Sequence, residues 1–137
     1  MSNERYERGL ARQAELGGPG VRTRILNEID DVAPDLRRLA VEFAYGDIHA
    51  RPGLDPARRE LVILGVLIAL GGVEPQIEAH LDAALGAGLQ PDELVEAVMQ
   101  ALPYAGFPRV LGAMTVTRRV FERRGLLPIT PRERRQP

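Results

Sequence analysis

Three residue types are missing from the 137-residue chain: cysteine, tryptophan and lysine, so that all 18 basic residues are arginine. Without cysteine the protein can form no disulfide, thiolate nucleophile or thiolate metal site. Without lysine it can form no Schiff base with a substrate carbonyl or with pyridoxal phosphate. Any reaction through a carbanion therefore has to use an electron sink that the substrate itself carries.

Charge and hydropathy limit the classes of partner. The formal net charge is −1, so we expect no general attraction to nucleic acid or to an anionic membrane. The apolar run from Leu61 to Leu70 is much shorter than the roughly 20 residues that span a bilayer, and the N-terminal segment has no apolar secretory core. The composition predicts one domain over residues 1–137, located in the cytoplasm.

Apolar residues recur at helical rather than strand spacing, which predicts an all-α bundle of about six to seven helices. Glycine and proline clusters separate the helices, with Ser2 or Asn3 as the first N-cap and Asp55-Pro56 at the start of a central helix. The third predicted helix, from Pro34 to about His49, has an apolar stripe that we expect to face the core. That stripe consists of Leu36, Leu39, Ala40 and Phe43.

The stretch from Glu60 to His80 is the centre of the predicted fold. Leu61 to Leu70 is apolar on every side, and a helix without a polar face is expected in the interior. After Gly71-Gly72 a second helix carries His80 about 60° from its own core stripe. Small neighbouring residues leave space around this imidazole. Glu60 and His80 are therefore a candidate polar pair at the two ends of a buried hairpin.

The C-terminal segment is basic, with seven arginines from Arg118 onward and two glutamates. A nucleic-acid-binding arm would be basic in this way, but the segment contains no recognised binding motif. We expect residues 125–137 to form a flexible, solvated tail, and we expect no nucleic-acid partner.

Four segments together resemble one protein family. The run from Glu42 to Asp55, EFAYGDIHARPGLD, is similar to the motif of γ-carboxymuconolactone decarboxylases, in which an aromatic-glycine pair precedes Arg-Pro-Gly-Leu-Asp. The similarity continues from Arg59 through the AHLDAALGAGL segment, at PDELVEA and at YAGFP, and it covers residues 5–122. The same superfamily includes the alkyl hydroperoxidase D type, which carries Cys-x-x-Cys before the histidine. Val73 and Gln76 occupy those positions here, so the chemistry is not that of a thiol peroxidase.

The resemblance implies an all-α fold of the alkyl hydroperoxidase D-like type, a homo-trimer or homo-hexamer, and no cofactor. The family's reference reaction removes CO₂ from a carboxylated butenolide and gives 3-oxoadipate enol-lactone, in aromatic catabolism through the β-ketoadipate pathway. Two other hypotheses stay open. The chain is either a family member acting on another small metabolite, such as a β-keto acid or a substrate for proton transfer alone, or a non-catalytic helical oligomer.

The resemblance also implies roles for single residues. His80 is the expected proton donor, and the alternative is a histidine at the core edge bonded to Glu60 or to a carbonyl. Glu60 either orients His80 or bonds to a substrate, and the alternative is a plain ion pair with the nearby pair of arginines. Arg51 either clamps a substrate carboxylate, or it caps the end of the preceding helix or pairs with Glu42.

Further expected substrate-binding residues are Tyr45, His49, Tyr104 and Glu42. The two tyrosines either line the pocket or pack in the core with a solvated hydroxyl. His49 stands where related decarboxylases carry tryptophan, so it is either an exposed residue at a helix end or a sign of a more polar pocket. The spacing of the two histidines matches no ligand motif, and we expect no metal.

Overall fold

The computed structural model describes residues 3–18 and 20–130 of the chain. Within these residues all regular secondary structure is helical, which confirms the predicted all-α fold. The predicted six to seven helices agree with the described part if α3 and π1 are taken as one helix and α7 as a single turn. In chain order the elements are α1 (Glu4–Glu15), α2 (Gly20–Asn27), α3 (Asp35–Leu39), its π-helical continuation π1 (Ala40–His49), α4 (Pro56–Leu70), α5 (Glu74–Gly86), α6 (Pro91–Gln100), α7 (Leu102–Ala105) and α8 (Phe107–Arg123).

α1 packs along π1 with backbone against backbone. Asn3 caps α1, as predicted, by accepting a hydrogen bond from the backbone N–H of Tyr6 at 3.2 Å. A Cβ added at Gly9 would lie 2.0 Å from the carbonyl oxygen of Val41, and one added at Gly46 would lie 2.2 Å from that of Arg5. Only glycine permits this approach, which brings side chains of α1 close to the C-terminal end of π1.

π1 buries a different face from the one that the sequence predicted. Its backbone N–H groups bond five residues back, as at the end of the helix, where Ala50 N donates to Tyr45 O at 2.9 Å. Its buried face carries Glu42, Tyr45 and His49, whereas Leu36, Leu39 and Phe43 of the predicted core stripe are exposed, Phe43 to 57%. The predicted core stripe of this helix is therefore wrong, because periodicity identifies an apolar face but does not determine whether that face packs against the same chain.

The core lies between α4, α5, α6 and α8. Its largest fully buried apolar side chains are Phe121, Leu64, Ile68, Leu81 and Leu94. Together with smaller buried residues of the same cluster, such as Ile77 on α5 and Val98 on α6, they recur at a spacing of about four residues, as an amphipathic helix requires.

α4 is not enclosed on every side, contrary to the sequence-based prediction of a central buried helix. Glu60, Leu64 and Ile68 are buried on one stripe, whereas Val66 on the opposite stripe is 57% exposed and Leu70 is also exposed. An apolar residue can face either the core of its own chain or another surface, and periodicity does not distinguish the two. No helix in the described part of the chain is long and apolar enough to cross a membrane.

The predicted tail begins with two residues that are packed rather than free. Leu126 and Ile129 contact the core cluster between α5 and α8. Residues 131–137, which hold the last arginines of the predicted tail, lie outside the described residues, as does the alternative N-cap Ser2. The flexibility of the tail stays a prediction.

Candidate active site

Glu60 lies on the inner face of α4 and is fully buried, with 0% of its surface exposed. The helix begins at Pro56 after Asp55, whose side chain accepts a hydrogen bond from the backbone N–H of Arg58 at 2.8 Å. This start places Glu60 four residues before Leu64, on the same inward stripe. A carboxylate buried at such a position requires hydrogen-bonding or charged partners.

Two imidazoles from neighbouring helices provide these partners. His49, the last residue of π1, has Nε2 3.0 Å from Glu60 Oε1, and His80 of α5 has Nδ1 2.9 Å from Glu60 Oε2. Burial desolvates the carboxylate and acts to raise its pKa, but the hydrogen bonds from both imidazoles prevail and hold the pKa of Glu60 below its ordinary value. Glu60 is therefore an anion that accepts from both rings.

The two rings differ at their other nitrogen atoms. His49 Nδ1 lies 3.3 Å from Nη1 of Arg12, and the His49 side chain is only 4% exposed. The His80 side chain is 18% exposed, and its Nε2 has no hydrogen-bond partner within the described residues. His80 is thus the imidazole with a nitrogen available to a bound molecule.

Tyr45 packs behind His49. The two rings are stacked, with centroids 5.5 Å apart and planes inclined by 29°. The hydroxyl of Tyr45 accepts a hydrogen bond from Arg22 Nη1 at 3.0 Å, and Arg22 Cζ lies 5.0 Å from the ring centroid. Burial raises the pKa of Tyr45 in spite of this cation, so the residue is a neutral phenol that supports the His49 ring.

A cleft of about 440 Å³ opens beside this cluster. His49, His80 and Tyr45 form one end of its lining, and Arg59 contributes a cationic group. The other walls are mostly apolar, and they comprise Phe43, Ala44, Ile48, Leu54, Val62 and Ile63. The cleft therefore offers a proton-carrying ring and a guanidinium in otherwise apolar surroundings.

Arg59 is the only cationic side chain in the cleft lining within the described residues. Its Nε donates to Leu54 O at 3.0 Å and its Nη2 to Arg51 O at 2.8 Å. Both acceptors are uncharged carbonyls, and the guanidinium has no carboxylate partner among the residues described. Its charge is therefore available to an anion in the cleft.

Three residues predicted to bind substrate do not line the cleft of this chain. Tyr104 is 88% exposed and belongs to a different groove. Glu42 is buried between α1 and π1, where it accepts a hydrogen bond from Asn3 and lies 3.8 Å from Arg5. Arg51 has an exposed side chain and contributes only its carbonyl, to Arg59. It also does not form the predicted alternative pair with Glu42.

Arg12 and Arg59 are the site residues that sequence reasoning missed. Arg59 directly precedes Glu60 and was considered only as an ion-pair partner of that residue. Its guanidinium instead bonds to the loop before α4, and the side chains of Arg59 and Glu60 therefore extend in different directions. Arg12 lies 37 residues from His49 in the chain, and no local pattern connects the two. Gly9 was the one available signal in the sequence, because a glycine within a polar helix marks a close approach of another backbone segment.

No group of three or more histidine, cysteine or acidic residues is arranged to hold a metal ion in the part of the chain that the structure describes. His49 and His80 each direct one ring nitrogen at a separate carboxylate oxygen of Glu60, at hydrogen-bond distance. The three side chains thus bond to one another and do not converge on a common point.

Comparison with known proteins yields a family and named relatives. The model of the carboxymuconolactone decarboxylase family matches residues 34–119. The chain is 35% identical to a 4-carboxymuconolactone decarboxylase of Acinetobacter baylyi over 125 residues, 91% of this chain and 92% of the relative. It is 32% identical to a nitrosuccinic acid decarboxylase of Metarhizium robertsii over 119 residues, 85% of this chain and 80% of the relative. It is 26% identical to an uncharacterised 15.0 kDa protein of Paracoccus denitrificans over 97 residues, 70% and 72% of the two chains.

Proposed function

The chain belongs to the carboxymuconolactone decarboxylase family, and from this we propose that it is a cofactor-independent carboxy-lyase acting on a small carboxylated lactone, with 4-carboxymuconolactone as the first candidate. The decarboxylase names of two relatives support the reaction class. The observation that carries the proposal is the pair of His80 and Glu60, with His80 Nε2 beside the cleft and without a hydrogen-bond partner among the described residues. The product would be an enol-lactone and CO₂, as in aromatic catabolism.

The reaction needs an electron sink, and such a lactone carries its own. When the bond to the leaving carboxylate breaks, its electron pair passes through the ring double bond to the lactone carbonyl and gives a dienolate. A proton then adds to the carbon next to that carbonyl, and the double bond moves within the ring. The protein has to supply one proton, a cation for the remaining carboxylate and surroundings that favour loss of charge.

His80 is the proposed acid. Its Nδ1–H donates to Glu60, whose negative charge stabilises the imidazolium form, as the carboxylate does in a Ser-His-Asp triad. The proton on Nε2 then passes to the dienolate carbon, and solvent at the cleft opening returns a proton to the ring. His49 donates to the other oxygen of Glu60 and holds the carboxylate in place.

Arg59 supplies the cation that the reaction requires, and the apolar wall supplies the surroundings that favour loss of charge. The guanidinium of Arg59, which has no carboxylate partner among the described residues, binds the carboxylate that the substrate keeps, the role expected earlier for Arg51. The leaving carboxylate would face apolar side chains such as Phe43 and Val62. Apolar surroundings destabilise a carboxylate relative to neutral CO₂, which lowers the barrier to its loss.

A second candidate substrate is a carboxylic acid that another electron-withdrawing group activates for loss of CO₂. The match to a nitrosuccinic acid decarboxylase favours it, because a nitro group can also take up the electrons left by CO₂. His49 makes one end of the cleft more polar than tryptophan would, and this also suits a smaller and more polar substrate.

Self-association is part of the same proposal. Val66 and Leu70 of α4 and Phe107 of α8 are exposed apolar side chains, and we propose that another copy of the chain covers them. We expect a homo-trimer or homo-hexamer in light scattering of the purified protein. A monomer at all concentrations would contradict this part of the proposal. A cytoplasmic location is also proposed, and cell fractionation tests it.

Measurement of CO₂ release and ultraviolet absorbance over a set of substrates tests the function. The set contains 4-carboxymuconolactone, nitrosuccinic acid and simple β-keto acids. Release from the lactone supports the first candidate, and release from nitrosuccinic acid alone supports the second. Release from none of them would contradict both and favour a non-catalytic assembly.

A further inference from the structure

Arg12 reaches the candidate active site from outside the part of the chain that the family model matches. It lies on α1, whereas the matched residues are 34–119. Its Nη1 lies 3.3 Å from His49 Nδ1 and donates to His49 O at 2.7 Å. Its Nε lies 3.3 Å from a carboxylate oxygen of Glu15. The guanidinium is thus held on both sides and directed at one imidazole.

An arginine side chain only donates hydrogen bonds, and this determines where the proton of His49 lies. Because Arg12 Nη1 donates to Nδ1, that nitrogen must accept, and the ring proton must be on Nε2. Nε2–H then points at the anionic Oε1 of Glu60, 3.0 Å away. We propose that Arg12 is a positioning residue that holds His49 as the Nε2–H tautomer, so that His80 alone carries the exchangeable proton of the site.

The tautomer of His49 affects His80 because the two imidazoles share one carboxylate, that of Glu60. The charge of Glu60 can compensate one imidazolium well, but not two. With Arg12 in place, a second proton on His49 Nδ1 would face a permanent cation. Without Arg12, Nδ1 is free to take that proton, and His49 then competes with His80 for the same negative charge.

The groups facing His49 from each packed element agree with this assignment. They are Arg12 from α1, Tyr45 from π1 itself and Glu60 from α4, with His80 of α5 on the far side of the carboxylate. Tyr45 contacts the ring by stacking and does not occupy Nδ1. Arg12 is thus the group that determines the tautomer.

Nitrogen NMR of the two imidazoles tests the assignment directly. The chain has only two histidines, so tag-free full-length protein labelled with ¹⁵N-histidine gives two ring spin systems, and His80→Gln assigns them. We expect a pyridine-like Nδ1 and a protonated Nε2 for His49 in the unsubstituted protein. A protonated Nδ1 on His49 near neutral pH would overturn the proposal. The tautomer is measured on the unsubstituted protein, and His80→Gln serves only to assign the two spin systems.

Arg12→Met removes the donor and keeps much of the side-chain length. Arg8→Met is the matched control, because Arg8 also lies on α1 and donates to a π1 carbonyl, Gly46 O at 2.7 Å, but touches neither imidazole. We expect the His49 ring nitrogen shifts to change in Arg12→Met, and to become pH-dependent, but not in Arg8→Met. Unchanged His49 shifts in Arg12→Met would contradict the proposal.

The activity measurement rests on the proposed function, whereas the NMR measurement does not. In Arg12→Met we expect kcat to fall by up to about 100-fold and the pH profile of kcat to shift, with partial recovery in Arg12→Lys. If the unsubstituted protein released no CO₂, the proposed function would fail while NMR still decided the role of Arg12. If CO₂ release were normal and the tautomer wrong, only the role of Arg12 would fail.

Discussion

Replacement of Glu60 by glutamine changes one atom at the centre of the site. The carboxylate accepts one hydrogen bond at each oxygen, at 3.0 Å from His49 Nε2 and 2.9 Å from His80 Nδ1. A glutamine amide of the same shape can accept at its oxygen but must donate at its nitrogen. One of the two imidazoles therefore has to change from donor to acceptor.

The surroundings decide which imidazole changes. His49 Nδ1 faces the donor Arg12, so His49 keeps its proton on Nε2 and the amide oxygen faces it. The amide NH₂ then donates to His80 Nδ1, and His80 holds its proton on Nε2 as a neutral ring. The acid form of His80 would place two N–H groups against each other and would also lack the neighbouring negative charge.

The magnitudes of the two effects separate catalysis from stability. Loss of a working general acid lowers kcat by about a hundredfold to ten-thousandfold. Conversion of two charge-assisted hydrogen bonds into two neutral ones costs about 2 kcal/mol in the free energy of unfolding. The variant should therefore remain folded and largely inactive.

Glu42→Gln is the matched control. Glu42 is also a buried carboxylate, but it lies between α1 and π1 and bonds to Asn3. We expect it to lose stability in urea unfolding and to retain kcat within about threefold, because it does not contact the cleft. A Glu60→Gln protein that decarboxylates the substrate at the normal rate would refute the reasoning, as would equal losses of kcat in both variants.

Three other perturbations test separate parts of the account. Arg59→Met should raise KM by about 10- to 100-fold through loss of the carboxylate contact, whereas Arg51→Met should leave KM unchanged in the same steady-state assay. Gly46→Ala should lower the free energy of unfolding in urea by about 1–3 kcal/mol, because its Cβ would lie 2.2 Å from a backbone carbonyl oxygen of α1. The pKa of Glu60 is lower in the folded than in the unfolded chain, so its stabilising contribution is complete above the ordinary glutamate range and is lost as pH falls through the folded-state pKa. Urea unfolding between pH 7 and pH 3 should show this loss in the unsubstituted protein and a smaller dependence in Glu60→Gln.

Helix ends were predictable because local residues determine them. Asn3 and Asp55 are N-caps in the structure as in the prediction, and Gly71 ends α4. His80 and Glu60 were also paired correctly, since a short turn between α4 and α5 leaves few other arrangements of the hairpin.

The parts of the fold and of the site that the sequence did not predict depend on contacts between segments that are distant in the chain. Packing against α1, where Gly9 permits a close backbone approach, buries a face of π1 other than the apolar stripe, and the stripe therefore predicted the wrong face. His49 and Arg12 meet only because of that packing. Val66 was expected in the core because an apolar side chain suits the interior of a chain and an interface between chains equally well.

Rates of CO₂ release from 4-carboxymuconolactone by the unsubstituted protein and by His80→Gln test the central claim most directly. The account predicts steady release by the unsubstituted protein and a rate at least about a hundredfold lower for His80→Gln, with both proteins folded. Equal rates for the two proteins would contradict the assignment of His80 as the acid on which the mechanism depends.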